Sequence, residues 1–213
     1  MYLIPSRSTQ LARLFSLLSQ GERIAHISAA QQSQLMTQHG NTAHAKFFKQ
    51  QSRQERFHAR VFSSAALWIG SGKTNTRCKH LKLFEKSIEN ALHRRDMTES
   101  ILAVQVILES IGKIILEGID ARMERQRYGF KKIRAIILAQ EAEHHEFGQN
   151  QLLRLTQNTN AKLSDMQQQS QHYQELANNI FDELAPLFDH LGADIDRYKS
   201  ELNNEIPDHL KTH

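Results

Sequence analysis

Apolar residues recur every three to four positions along almost the whole chain, the period of helices that bury one face. Leu11, Phe15, Leu18, Ala25, Ala29 and Met36 form one stripe and predict a helix from about Ser8 to Met36, broken by HGNTAH from His39. A second stripe, with Phe47, Phe48, Phe62 and Ala65, predicts a helix over Thr42 to Ile69, stopped by GSGKTNT. Leu81, Phe84, Ile88 and Leu92 predict a shorter helix. Asp96 or Thr98 is placed to cap a third long helix, from about Met97 to Gln126. Tyr128-Gly129 reads as a turn, and a fourth long helix runs to about Leu155. TQNTNAKLSD reads as a polar loop, followed by a helical region from Ser164 to Asn204 that Pro186 kinks or splits.

The expected class is all-α. One domain spans 1–213: an up-down core over about 8–155, with a crossover after the second helix, and a helical cover over about 164–204. Composition agrees, with only 3 prolines and 9 glycines to interrupt helices. The single cysteine, Cys78, excludes an internal disulfide framework and suggests a reducing compartment. No run approaches the roughly 18 apolar residues of a membrane span. The longest candidate, ILAVQVILESIGKIILEGI, contains Gln105, Glu109, Lys113 and Glu117. A soluble cytoplasmic protein is expected. The net charge of +4 includes loose basic clusters at Arg53 to Arg60, Lys73 to Lys86 and Arg122 to Arg134. These read as solvated surface first and as a weak nucleic-acid or anionic-ligand surface second. GSGKT imitates the end of a phosphate-binding loop, but Leu67 stands where its first glycine belongs and a helix precedes it.

Successive helical residues lie about 100° apart, so carboxylates can be placed on or off each apolar stripe. In EAEHHEFG, with Glu141 at zero, Phe130, Ile133, Ile137, Gly148 and Leu152 fall within roughly 80°. His144 lies on that side at roughly 60°. Glu143 and Glu146 point away, and His145 is at the margin. An inward carboxylate one turn from an inward imidazole is costly unless something compensates it. The spacing recurs in QERFHARVF, where Glu55 and His58 share the stripe of Phe62. Glu22 lies mid-stripe on the first helix. Glu109 lies within the apolar run of the third and is preferred over its rival Glu117.

Glu22, Glu55, His58, Glu109, Glu141 and His144 are the donor set of a carboxylate-bridged dinuclear site: one Glu from each of two helices and one Glu-x-x-His from each of the others. Four carboxylates offset most of the charge of two divalent ions, and oxygen with nitrogen donors favours two iron ions, or manganese with iron. Separations of 33 residues from Glu22 to Glu55 and 32 from Glu109 to Glu141 suit two antiparallel hairpins. His145, Gln51 and Gln105 are candidates to support the ligands.

Over roughly Ser8 to Leu153, this pattern resembles the ferritin-like di-iron carboxylate superfamily. QERFHARVF and EAEHHEFG are similar to segments of its oxygen-activating members: the aldehyde-deformylating oxygenases, demethoxyubiquinone hydroxylases and di-iron tRNA hydroxylases. The resemblance implies a ferritin-like four-helix bundle and an oxidase or oxygenase. It would use O2, an external electron donor and a small or lipid-like organic substrate. Phe62 stands where a radical tyrosine of a ribonucleotide reductase subunit would be expected. Two alternatives stand beside it. One is an iron-handling ferroxidase without organic substrate. The other is a metal-free interaction protein, which requires the four glutamates to pair with Arg23, Arg56, Lys113 or Arg134.

Overall fold

Helix α1 (Arg7–Gln38) and helix α2 (Thr42–Gly70) form an antiparallel hairpin. Gly40 supplies the left-handed backbone of the turn (φ +71°), and Asn41 caps α2 by accepting the His44 amide at 3.1 Å. Ser19 donates to the Ala59 carbonyl at 2.9 Å and Ser33 to that of Ala45 at 2.8 Å, which fixes the register of the pair. This is a computed structural model, and it describes residues 7–70, 76–123, 131–156 and 160–211. Every regular element among the described residues is helical. The expected turn at Tyr128-Gly129 and most of GSGKT lie outside them.

After the hairpin come α3 (Lys79–His93) and a rod built from α4 (Met97–Ile101), a π-helical segment (Leu102–Leu108) and α5 (Glu109–Met123). Asp96, not Thr98, caps the rod, accepting the Glu99 amide at 2.9 Å. The π-helical segment has no counterpart in the sequence reading. Within it the Glu109 amide reaches back five residues to the Val104 carbonyl, which is the signature of an extra residue accommodated in a helix. Helix α6 (Lys131–Thr156) packs on the π segment, α5 and α2. Its first turns stand off the core: Ile133 is exposed, against the expected stripe, and burial begins at Ile137.

Gly148 of α6 is where the rod comes closest. A Cβ there would meet the Gln105 Cβ at 2.7 Å and the Gln105 carbonyl carbon at 3.2 Å. The Gln105 Cβ is fixed to its backbone, which lies close behind it, so the neighbour cannot yield cheaply. Gly148→Ala is therefore expected to destabilise by about 1–3 kcal/mol, as overpacking does. Gly21→Ala, with open space around its Cβ, should cost nothing. Thermal unfolding of the two variants checks the contrast.

The C-terminal region is split at Pro186, as the sequence predicts, and a second break at Gly192 makes it three α-helices. Helix α7 (Asn160–Glu183) starts inside the expected polar loop. It ends just before Pro186, which sits in the first turn of α8 (Ala185–Leu191) as proline prefers. Gly192 terminates α8 in left-handed backbone, and Asp194 caps α9 (Ile195–Glu205). These helices bury Tyr173, Phe181, Phe188, Tyr198 and Leu202 in a core continuous with that of α1 to α6. Tyr198 lies over Gly118, where no larger residue fits. Lys113 pairs with Glu205 at 2.8 Å, which ties α9 to α5.

Glu183 at the end of α7 holds the start of α3. Its carboxylate accepts the Lys79 amide at 2.7 Å and the His80 amide at 2.9 Å, with the His80 ring at 2.8 Å. Burial alone would raise its pKa, but these hydrogen bonds hold it down at about 2. A depressed carboxylate contributes stability above its unfolded pKa, near 4.3, and loses it as pH falls from there towards 2. With 27% of the side chain in solvent, the contribution is on the order of 1–2 kcal/mol after screening. Urea unfolding at pH 5 and pH 3 should show wild type losing about half of that, roughly 0.5–1 kcal/mol, more stability than Glu183→Gln.

Candidate metal centre

The hairpin, the rod and α6 each turn charged side chains into one buried space. Glu22 comes from α1, Glu55 and His58 from α2, Glu109 from the first turn of α5, and Glu141 and His144 from α6. All six are buried, with exposures from 0% at Glu55 and His58 to 6% at Glu22. Their donors fall into two groups. Glu22, Glu55, His58 and Glu141 offer one atom each within 4.8 Å of one another, and so do Glu55, Glu109, Glu141 and His144. Glu55 and Glu141 belong to both groups. Exposed Glu117 belongs to neither.

Whether these donors satisfy one another decides how far the cluster fits a cation. His58 Nδ1 lies 2.9 Å from Glu55 Oε2 with hydrogen-bond geometry. It is 3.0 Å from Glu141 Oε1 and 3.6 Å from Glu22 Oε2. His144 Nδ1 lies 2.8 Å from Glu55 Oε1, yet neither atom has a hydrogen-bonding partner. The distance suits a bond but the direction does not. Glu141 Oε1 is also buried without a partner. Three buried polar atoms thus converge without bonding, an expensive arrangement for the chain alone. A span of 4.8 Å is compatible with donors around one ion with bonds of about 2.1 Å. The residues fit a pair of cations.

Electrostatics agree. Burial and the neighbouring carboxylates push Glu22 and Glu141 well above the usual range. Burial also disfavours charge on Glu55, but the imidazoles of His144 and His58 hold it well below. Burial lowers both histidines, and their carboxylate neighbours more than reverse this: His58 rises strongly and His144 reaches about 10. Protons stand in for cation charge in the metal-free chain, and metal binding has to displace them. Among the described residues no lysine or arginine pairs with any of the four glutamates. Lys113 is taken by Glu205, Arg134 donates to the Leu116 carbonyl, and Arg23 and Arg56 are exposed.

The outer shell is made of glutamines. His58 Nε2 donates to Gln140 Oε1 at 2.7 Å, and His144 Nε2 donates to Gln54 Oε1 at 2.9 Å. An amide oxygen only accepts, so Nε2 must carry the hydrogen and Nδ1 is the nitrogen turned inward. The support is crossed, because each histidine is held by the glutamine preceding the other helix's glutamate. Gln51 donates to Glu109 Oε1 at 2.7 Å, as expected of a supporting residue. Gln105 stands one step behind, donating to Gln51 at 2.9 Å and exchanging bonds with Gln32. His145 instead faces Glu205 of α9 at 3.6 Å, and it belongs to neither donor group. Gln32, Gln54 and Gln140 are absent from the sequence reading. The signal for two of them is visible: QE precedes both histidines, in QERFH and QEAEH.

An apolar cavity borders the cluster. Leu14, Leu17, Leu18, Leu108, Ile111 and Ile115 line it, and Glu22, Glu109 and Glu141 close one end. Its volume of about 50 Å³ suits a few water-sized molecules, each needing roughly 10–15 Å³ on this measure. A diatomic gas or a short apolar group fits, while a long chain requires the walls to part.

No protein-family model matches this sequence, and no curated protein matches it either.

Proposed function

We propose that this chain is a ferritin-like di-iron protein, an oxidase or oxygenase acting on an organic substrate. Its core would be a four-helix bundle of α1, α2, the α4–α5 rod and α6, with the connection through α3 as the crossover. The observation that carries the reading is the sharing of Glu55 and Glu141 between two four-donor groups, since a shared pair of carboxylates is what two adjacent cations require. Glu22 and His58 would complete one ion's ligands, and Glu109 and His144 the other's.

Two iron ions held there would supply the reduction of O2, with electrons from an external donor. The chain's own residues do the rest. The carboxylates neutralise the ions, and Gln54 and Gln140 keep Nδ1 of each histidine turned inward. Gln51 restrains one oxygen of Glu109. The leucine-lined cavity excludes bulk water and admits O2 or the apolar end of a substrate at Glu22, Glu109 and Glu141.

Anaerobic ferrous titration followed by oxygen uptake tests this. An oxidase or oxygenase should saturate at about two iron ions per chain, consume about one O2 per ferrous pair without added reductant, and consume more only when reductant is supplied. Iron accumulating well beyond two per chain would favour a ferroxidase. Failure to bind stoichiometric metal would refute the dinuclear site.

A further inference from the structure

The α1–α2 hairpin is electrically one-sided. It carries three arginines on α1 and five lysines or arginines on α2, but only two carboxylates, Glu22 and Glu55. Both carboxylates are buried in the candidate centre. No acidic side chain of the hairpin therefore reaches its outer surface. The remaining sequence holds 19 basic and 21 acidic residues, so the excess positive charge of the chain belongs to this hairpin.

Lys46, Lys49, Arg53, Arg56 and Arg60 are all exposed. Their spacing of three, four, three and four residues confines them to an arc of roughly 80° on one face of α2. None of the five forms an ion pair among the described residues. Four of them line a groove of about 940 Å³ against α1, whose side contributes Ser33, Gln34 and Thr37. The only apolar lining residues are alanines.

We infer that this groove docks the phosphate backbone of a duplex nucleic acid. The row extends about 21 Å at 1.5 Å per residue. Over that length one strand presents about six phosphates at 3.4 Å each, against five cations. Hydroxyls and amides beside the cations are the other groups that contact phosphate. A membrane surface would require apolar side chains to insert beside the charges; the groove is lined by none of that size, and the exposed Phe57, Leu67 and Trp68 of α2 lie outside its lining. The inference rests on the hairpin's surface alone and does not depend on what the buried centre binds.

The test is fluorescence anisotropy of the full chain with a labelled RNA duplex of about 20 base pairs, and with the same sequence as DNA, across a salt series. Binding should weaken with salt at a log–log slope of about 3 to 5. The exposed reversals Lys46→Glu, Lys49→Glu and Arg53→Glu, made together, should lower affinity by about 100-fold or more. The matching glutamine variant should lower the slope by about one per residue. Reversing Lys82 and Lys86 on α3, also exposed, should change affinity by no more than about twofold. Which duplex binds more tightly identifies RNA or DNA as the source of the backbone. The inference is overturned if neither duplex binds at the lowest salt, or if the α3 reversals cost as much as those on α2. Retention on phosphatidylglycerol vesicles without duplex binding also overturns it.

Discussion

Glu55→Ala is expected to abolish metal binding at both positions, whereas Glu22→Ala and Glu109→Ala each leave about one ion per chain. The asymmetry follows from membership: Glu55 and Glu141 serve both donor groups, and Glu22 and Glu109 serve one each. Losing a shared carboxylate withdraws a donor and a negative charge from two adjacent cations at once, which then face each other unscreened. Glu141→Ala should behave like Glu55→Ala. Glu143 and Glu146, both exposed on the same helix, provide the control. Their alanine variants should retain about two ions and move stability by no more than about 0.5 kcal/mol. Metal analysis after gel filtration, with circular dichroism to confirm folding, separates the cases. Equal losses from Glu22→Ala and Glu55→Ala would refute the shared role.

The second large effect should come from residues that touch no metal. Gln140→Leu removes the acceptor for His58 Nε2, and Gln54→Leu the acceptor for His144 Nε2. Each leaves a buried ring N–H unsatisfied and its tautomer unspecified, and losses of this kind typically weaken a site by about 10–100-fold. The wiring is crossed between helices, so the variants should damage different positions. Gln140→Leu should weaken the group containing Glu22, and Gln54→Leu the one containing Glu109. A double-mutant cycle detects this through cobalt affinity. Gln140→Leu should cost little further in a His58→Ala background and its full effect in a His144→Ala background. The reverse pattern would mean that each glutamine serves the histidine of its own helix.

The buried cluster of carboxylates and imidazoles was legible because helical periodicity fixes direction. Glu141 and His144 separate from Glu143 and Glu146 on a wheel, and the buried pair is the inward one. Glu109 was legible from its apolar surroundings. Periodicity speaks for one helix at a time, so it is silent where helices meet. Gln54 and Gln140 lie beside the stripes and gain meaning only when α2 and α6 face each other. His145 sat at the margin of its stripe and was placed among the supporting residues, whereas it faces Glu205. The C-terminal helix that claims it, through Glu205, lies far along the sequence. Ile133 misled because the stripe continues past the point where α6 leaves the core.

The π-helical segment acts as a phase shifter. An extra residue between Ile101 and Glu109 turns everything after it by about 100° relative to everything before it. The earlier half of the rod is anchored by Glu99, which accepts from buried Tyr173 of α7. The later half is anchored by Lys113 and Glu205. Both anchorages and the inward aim of Glu109 hold together only with the extra residue in place. Removing one residue there would restore a regular backbone ladder and force a choice between the C-terminal cover and the fourth carboxylate. The irregular turn is thus the point at which the core and its covering helices agree on a common rotation.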